Sequence, residues 1–100
     1  NTTAWTIDGN SFYETSSFSP TGTVTFEVIK IDNVSGNGFI VSNNYIGGTA
    51  AQCGGTAWTK TNSTNNLFRA IYLEVGTTVA SSVQNNTIQN FNWSNSGIAN

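Results

Sequence analysis

The side chains of this chain that could do chemistry are few, and two pairs of them share one spacing. Glu27 and Arg69 are 42 residues apart, and so are Asp32 and Glu74. A carboxylate beside a guanidinium could act as base and electrophile, and two neighbouring carboxylates could begin a calcium site. The alternatives are a cross-strand ion pair of about 0.2 to 1 kcal/mol and two solvated acids. We expect these alternatives, because no nucleophile, metal ligand set or Asp-rich repeat accompanies either pair.

The composition excludes several classes of function. The chain has no His and a single Cys, Cys53, so it lacks the usual zinc or copper ligands, the usual general base and an internal disulfide. Its net charge of -2 comes without a basic cluster, which argues against nucleic acid and anionic membranes as partners. No apolar run approaches the roughly 20 residues that cross a bilayer. We therefore expect no catalytic residue, metal, cofactor or membrane insertion.

A repeated phrase dominates the sequence and indicates how those side chains are positioned. It consists of an aliphatic residue, two polar or Gly positions, an Asn, one variable residue and an apolar residue. It occurs within residues 5–12, 39–46 and 82–89, with the Asn at Asn10, Asn44 and Asn86. Asn tolerates a left-handed backbone and bonds its own neighbourhood, so each copy predicts a tight corner between two short strands.

Two longer strands are predicted between the copies. Residues 24–32 and 67–75 are rich in β-branched and apolar residues and align without a gap, counting back from Val41 and Val83. The alignment places Phe26 over Phe68, Glu27 over Arg69, Ile29 over Ile71, Ile31 over Leu73 and Asp32 over Glu74. The parity of Glu27 and Arg69 matches that of Ile29, which predicts a partly covered position at the sheet margin. Residues 15–23 and 47–66 are predicted to be loops.

The spacing of these elements is that of a solenoid. The copies are offset by 34 and then 42 residues, and no persistent helical periodicity is present. We predict one all-β segment over residues 1–100, with coils at about 1–38, 39–80 and an incomplete 81–100. Trp5 and Ile7 are expected on the core side, Ile7, Val41 and Val83 in one apolar column, and Phe12, Ile46 and Ile88 in another. The three Asn should form a hydrogen-bonded ladder at one corner.

These features resemble the right-handed parallel β-helix superfamily, the pectate-lyase-like solenoids. More narrowly, the Asn-Asn-Tyr-Ile-Gly-Gly phrase at 43–48, the Asn-Asn-Thr-Ile phrase at 85–88 and Asn92-Trp93 resemble repeats of very large secreted surface proteins of Bacteroidota. The likeness covers nearly the whole chain. The fold carries lyases, hydrolases, adhesins and stalks, so the resemblance implies a fold and a setting more than an activity.

The resemblance also implies where a ligand would bind. In that family the first sheet and its loops form the substrate groove, which here corresponds to residues 28–31 and 70–73. The outward residues would be Lys30, Asp32, Tyr72 and Glu74, and the candidate glycan-binding residues are Trp58, Tyr72, Lys30 and Arg69. The alternative for the aromatic residues is that they pack a loop onto the coil. The calcium-binding acids of the lyases and the grouped Asp of polygalacturonases have no counterpart.

We therefore expect a non-catalytic structural or adhesin-like module of a secreted or cell-surface protein. It would contact glycans or travel as cargo of a secretion or surface assembly. The alternative is a polysaccharide lyase or glycoside hydrolase of the same fold. Expected partners are further coils of the same polypeptide, neighbouring chains and polysaccharide, because solenoids expose unpaired strand edges at both ends. An export signal would have been removed or would lie outside this sequence.

Overall fold

The computed structural model describes residues 4–96, which form an all-β protein of short strands. The strands are β1 Thr6–Asp8, β2 Ser11–Phe12, β3 Thr25–Asn33, β4 Ile40–Ser42, β5 Tyr45–Ile46, β6 Trp58–Lys60, β7 Leu67–Val75, β8 Ser82–Gln84, β9 Thr87–Ile88 and β10 Phe91–Trp93. A single 3-10 turn, Ala51–Cys53, interrupts them, and its Gln52 has a left-handed backbone. The expectation of an all-β chain is confirmed.

The strands pair only in parallel, in four small sheets of described residues. Two sheets have three strands, in the orders β1-β4-β8 and β2-β5-β9, and two have two strands, β3-β7 and β10-β6. Strands of one sheet therefore come from successive passes of the chain, which we call the first pass (β1–β3), the second pass (β4–β7) and the third pass (β8–β10). Each pass forms one layer, and the second pass lies between the other two.

The register follows the sequence repeat. Ile7 pairs with Val41 and Val41 with Val83, while Phe12, Ile46 and Ile88 pair in the same manner. All five pairs expected between β3 and β7 are present, from Phe26 with Phe68 to Asp32 with Glu74. Equivalent side chains of successive passes therefore lie directly above one another, as in-register parallel pairing requires.

The core is concentrated in the middle layer. Val41 and Ile46 of the second pass have no exposed surface, whereas their third-pass equivalents Val83 and Ile88 are each 49% exposed. The prediction that Trp5 lies on the core side is wrong, because the residue is 62% exposed. Trp5 belongs to the first pass, where no described strand lies above it.

The long strands β3 and β7 each turn two consecutive side chains inward. Val28 and Ile29, and likewise Ala70 and Ile71, pack in or against the core, and the pairing of β3 with β7 omits the Val28 position. This irregularity shifts the alternation by one residue. The predicted partial cover is found for Glu27, whose side chain is 16% exposed, but not for Arg69, which is 43% exposed. The shift puts both on the outward face with Lys30, where Glu27 forms ion pairs with both basic residues.

The region 47–66, expected to be a loop, contains a strand. β6 pairs with β10, and Phe18 of the 15–23 segment forms a bridge to Lys60 on the other side. Asn90 secures the chain before β6, since its side-chain amide donates to the carbonyls of Cys53, Gly55 and Thr56. The two segments without clear periodicity thus supply a third stacked column.

Candidate functional site

The repeated Asn residues occupy the corner between the first two sheets. Each follows a residue with positive φ, which is Gly9 at +72°, Asn43 at +55° and Asn85 at +60°. Gly and Asn are the residues that adopt this conformation at least cost. The left-handed residue of each corner is therefore the one before the repeated Asn, and this leaves the repeated Asn itself in position to bond the next pass.

Hydrogen bonds connect the three Asn side chains from pass to pass. The backbone N–H and the side-chain amide of Asn10 donate to Asn44 Oδ1, at 3.0 and 3.1 Å. The same two groups of Asn44 donate to Asn86 Oδ1, both at 3.0 Å, and Asn44 Nδ2 also donates to the Ile7 carbonyl. Asn44 has no exposed surface, so this ladder satisfies polar groups that the corner buries.

The outward face of β3 and β7 carries most of the charge of the chain. Glu27 Oε2 lies 3.1 Å from Arg69 Nη1, and Glu27 Oε1 lies 3.6 Å from Lys30 Nζ. The Glu27 side chain is 16% exposed, against 49% for Lys30 and 43% for Arg69. One largely covered carboxylate therefore pairs with two basic groups, each of which presents nearly half of its surface to solvent. We call Glu27, Lys30, Arg69, Tyr72 and Glu74 the outer charged face.

Tyr72 lies at the centre of the outer charged face. Lys30 Nζ is 5.6 Å and Arg69 Cζ 5.1 Å from the centre of its ring, within the range of cation–π attraction. Its hydroxyl donates a 2.7 Å hydrogen bond to Glu74 Oε1. This bond and the charge of Glu74 raise the pKa of the Tyr72 phenol. The face brings together three of the four glycan candidates: Lys30, Arg69 and Tyr72.

Trp58 is the fourth glycan candidate, and the structure places it elsewhere. It lies in β6 and is only 8% exposed, so the expectation of an exposed loop residue was wrong. Its ring packs against Phe68 and Phe91, with centroids 5.7 and 5.2 Å away. Trp58 lies at the edge of an open groove of about 540 Å³, whose rim includes Tyr13, Glu14 and Glu27. Its Nε1 has no hydrogen-bond partner among the described residues.

One pair of acidic residues spans β3 and β7. Asp32 and Glu74 are register partners, as expected. Within residues 4–96, no three His, Cys, Asp or Glu side chains come close enough together to hold a metal ion. A calcium ion takes six to eight oxygen ligands, which these two carboxylates do not supply.

A buried lysine is the feature that the sequence analysis missed. Lys60 ends β6 with no exposed surface, and its ammonium donates to the carbonyls of Asn62, Thr64 and Ser94 and to Asn95 Oδ1. Loss of hydration on burial lowers the pKa of this ammonium, while the four oxygens stabilise its charge. Trp58 and Lys60 do alternate as an inward-facing pair would, but three residues are too few to distinguish a strand from a loop.

No helix among the described residues has the length and apolarity needed to span a membrane. Comparisons of the chain with protein families, with curated proteins and with solved structures find no match. The case for its function therefore depends on the ladder, the outer charged face and the layered sheets.

Proposed function

We propose that this chain is a segment of a right-handed parallel β-helix that serves as a non-catalytic structural or adhesin-like module of a secreted or cell-surface protein. The observation that carries the proposal is the stacking of three passes in one register. Val41 pairs with Ile7 on one side and Val83 on the other, and the Asn ladder runs beside this column. A coil that closes on itself accounts for such stacking in several sheets at once.

Hydrogen exchange tests the stacked architecture. In a β-helix the second-pass strands β4 and β5 are covered from both sides, so their amides should exchange last. Those of β1 and β8 have one described neighbour each and should exchange earlier. Equal rates in all three passes would contradict the layered arrangement.

The outer charged face supports glycan contact as the binding activity of the module. Lys30 and Arg69 offer exposed donors, and Tyr72 and Glu74 offer a ring and an acceptor. With Asp32 the face has three acids against two bases, so it favours a neutral glycan over an acidic one. The salt bridges to Glu27 also hold both bases in fixed positions, which lowers the entropy lost when a ligand binds.

A glycan array with matched variants tests this activity. We expect a neutral polysaccharide to bind the chain and Tyr72→Ala to weaken that binding by about tenfold or more, the effect of losing a stacking residue and its two oriented cations. Tyr13→Ala removes an exposed tyrosine outside this face and should leave the affinity unchanged. Equal loss in both variants, or no binding to any glycan, would overturn the glycan proposal.

The enzymatic alternative and the compartment are tested separately. Turnover of an acidic polysaccharide that is lost in Lys30→Ala and Arg69→Ala would replace the adhesin-like function by that of a lyase or hydrolase. For the compartment, an antibody against this chain should label intact producing cells or their medium. Signal only after the cells are broken open would contradict a surface location.

A further inference from the structure

Lys60 is a buried cation that has no acidic partner among residues 4–96. The residue has no exposed surface, and both salt bridges of the described residues belong to Glu27 on the outer charged face. The ammonium of Lys60 is bonded instead to oxygens of neutral groups. Burying a charge without a counter-ion is costly. A reaction that turned this ammonium into a neutral group would remove that cost.

One of the bonded oxygens belongs to a side-chain amide, which an amine can attack. Lys60 Nζ lies 3.1 Å from Asn95 Oδ1, and the carbon under attack, Asn95 Cγ, is bonded to that oxygen. The backbone N–H of Asn66 donates to the same Oδ1 at 3.1 Å. This donor would stabilise the negative charge that the oxygen acquires when an amine adds to Cγ. Asn95 Nδ2 donates to the Asn66 carbonyl at 3.3 Å, so both polar atoms of the amide are held beside the amine.

Aromatic side chains cover the amine and favour its reactive form. The centre of the Trp93 ring lies 5.9 Å from Lys60 Nζ, and Trp93 Nε1 donates to the Asn66 carbonyl at 3.0 Å. The Trp93 ring also packs against three phenylalanines, Phe18, Phe26 and Phe68. Burial lowers the pKa of the Lys60 ammonium. The fraction of neutral amine, which is the nucleophile, is therefore larger than for a lysine in water.

We propose that the side chains of Lys60 and Asn95 join in an isopeptide bond. The ammonium first releases one proton to solvent, and neutral Nζ then adds to Asn95 Cγ while Oδ1 takes up the electron pair of the carbonyl. A proton of Nζ moves to Nδ2, the Cγ–Nδ2 bond breaks as the carbonyl forms again, and ammonia leaves. The products are one secondary amide and one ammonia, and the reaction needs no oxidant, reductant or further reactant.

The bond would fasten the second pass to the third. Lys60 ends β6 and is the register partner of Trp93, the last residue of β10, and Asn95 follows two residues later. A covalent link at this point closes a loop that contains β7, β8 and β9. Such a link restricts the unfolded chain and so stabilises the folded one, as a disulfide does.

Mass spectrometry of the purified, folded chain tests the proposal. We expect the intact mass to be lower than the sequence mass by one ammonia. Because an Asn that cyclises onto its own backbone also releases ammonia, the chain is then denatured and digested. We expect a branched peptide in which the segments that contain Lys60 and Asn95 stay joined. Intact mass equal to the sequence mass, or Lys60 and Asn95 found only in separate linear peptides, would overturn the proposal.

Variants assign the two partners. Lys60→Arg keeps a cation but removes the amine, and Asn95→Ala removes the amide, so both should show the full sequence mass and no branched peptide. Lys30→Arg changes an exposed lysine and should leave the loss of ammonia unchanged. A branched peptide that persists in Asn95→Ala would contradict the assignment to Asn95. The mass of the native chain decides the proposal even where a variant at Lys60 does not fold.

Discussion

Asn44 is the residue on which the corner depends most, because its side chain bonds the Asn of the pass before it and the Asn of the pass after it. Its amide makes four hydrogen bonds, two accepted from Asn10 and two donated to Ile7 and Asn86. Asn86 accepts two from Asn44 and donates one to the Val41 carbonyl. Asn10 only donates, to Asn44 and more distantly to Asp8. The three copies of one residue thus differ in what their loss would leave unpaired.

We expect Asn44→Ala to lower the free energy of unfolding by about 2 to 4 kcal/mol and Asn10→Ala by about 1 kcal/mol, with Asn86→Ala between them. The reason is that each buried group left unpaired costs about 1 to 3 kcal/mol, and Asn44 leaves the most. Urea denaturation of the three variants measures the order. Equal losses would argue against the ladder.

Asp8 makes the same corner sensitive to acid. Its Oδ1 accepts hydrogen bonds from Ser42 Oγ at 2.7 Å and Asn43 Nδ2 at 2.8 Å, and these bonds lower the pKa of the carboxyl below 3.8. The folded protein therefore takes up this proton at lower pH than the unfolded chain. The stabilisation is present above pH 3.8 and is lost as the pH falls through the folded pKa.

We expect Asp8→Asn to be less stable than the native chain at neutral pH, with the difference shrinking once the pH falls below about 3.8, the ordinary value of the group. Denaturation curves at several pH values for both proteins give the difference directly. Ser42→Ala removes one of the two donors and should shrink the same pH-dependent term. A difference that does not change with pH would show that the carboxylate charge plays no part.

At the scale of elements, β6 depends on the ammonium at its end. The Lys60 ammonium bonds oxygens of the 62–64 segment and of Ser94 and Asn95. The centre of the Trp93 ring lies 5.9 Å from Lys60 Nζ. Neither segment is part of a β-strand, so the hydrogen bonds of the Lys60 ammonium connect them instead. Lys30 has the same side chain but is 49% exposed and pairs with Glu27 at the surface.

Lys60→Met should therefore destabilise the protein far more than Lys30→Met. The first leaves three carbonyls without their donor and removes one of the two hydrogen bonds that Asn95 Oδ1 accepts, while the second removes an exposed ion pair of the kind that contributes little. Thermal unfolding of both variants measures the contrast. Similar shifts in Tm would show that the four hydrogen bonds of the Lys60 ammonium do not hold residues 62–64 and 94–95 together.

The elements that could be predicted from the sequence are those in which one pattern of residue types recurs. The register of β3 on β7 follows from matching residue types 42 positions apart, and the Phe12, Ile46, Ile88 column follows from the repeated phrase. β6 could not be predicted, because three alternating residues inside a Gly- and Thr-rich segment do not differ from a loop. The face of Glu27 could not be predicted either, because a parity count fails where Val28 and Ile29 both turn inward.

At the scale of the whole molecule, position in the stack decides how much a side chain contributes. Ile46 and Ile88 are the same residue in the same column and are direct register partners. Ile46 lies between two layers with no exposed surface, and Ile88 lies in the last described layer with 49% exposed. The two residues have the same type and the same position in the sheet, so their difference in exposure comes from whether a further layer covers the side chain.

Ile46→Ala should therefore lower the free energy of unfolding by about 2 to 5 kcal/mol, the range for truncating a buried Ile, and Ile88→Ala by about half as much or less. The first change leaves a cavity between two layers that cannot collapse, while the second shortens a side chain that solvent already reaches. Urea denaturation of both variants gives the two values. Equal losses in the free energy of unfolding would contradict this expectation. They would mean that Ile88 is also covered in solution, for example by a second copy of the chain, so that the third pass is as buried as the second.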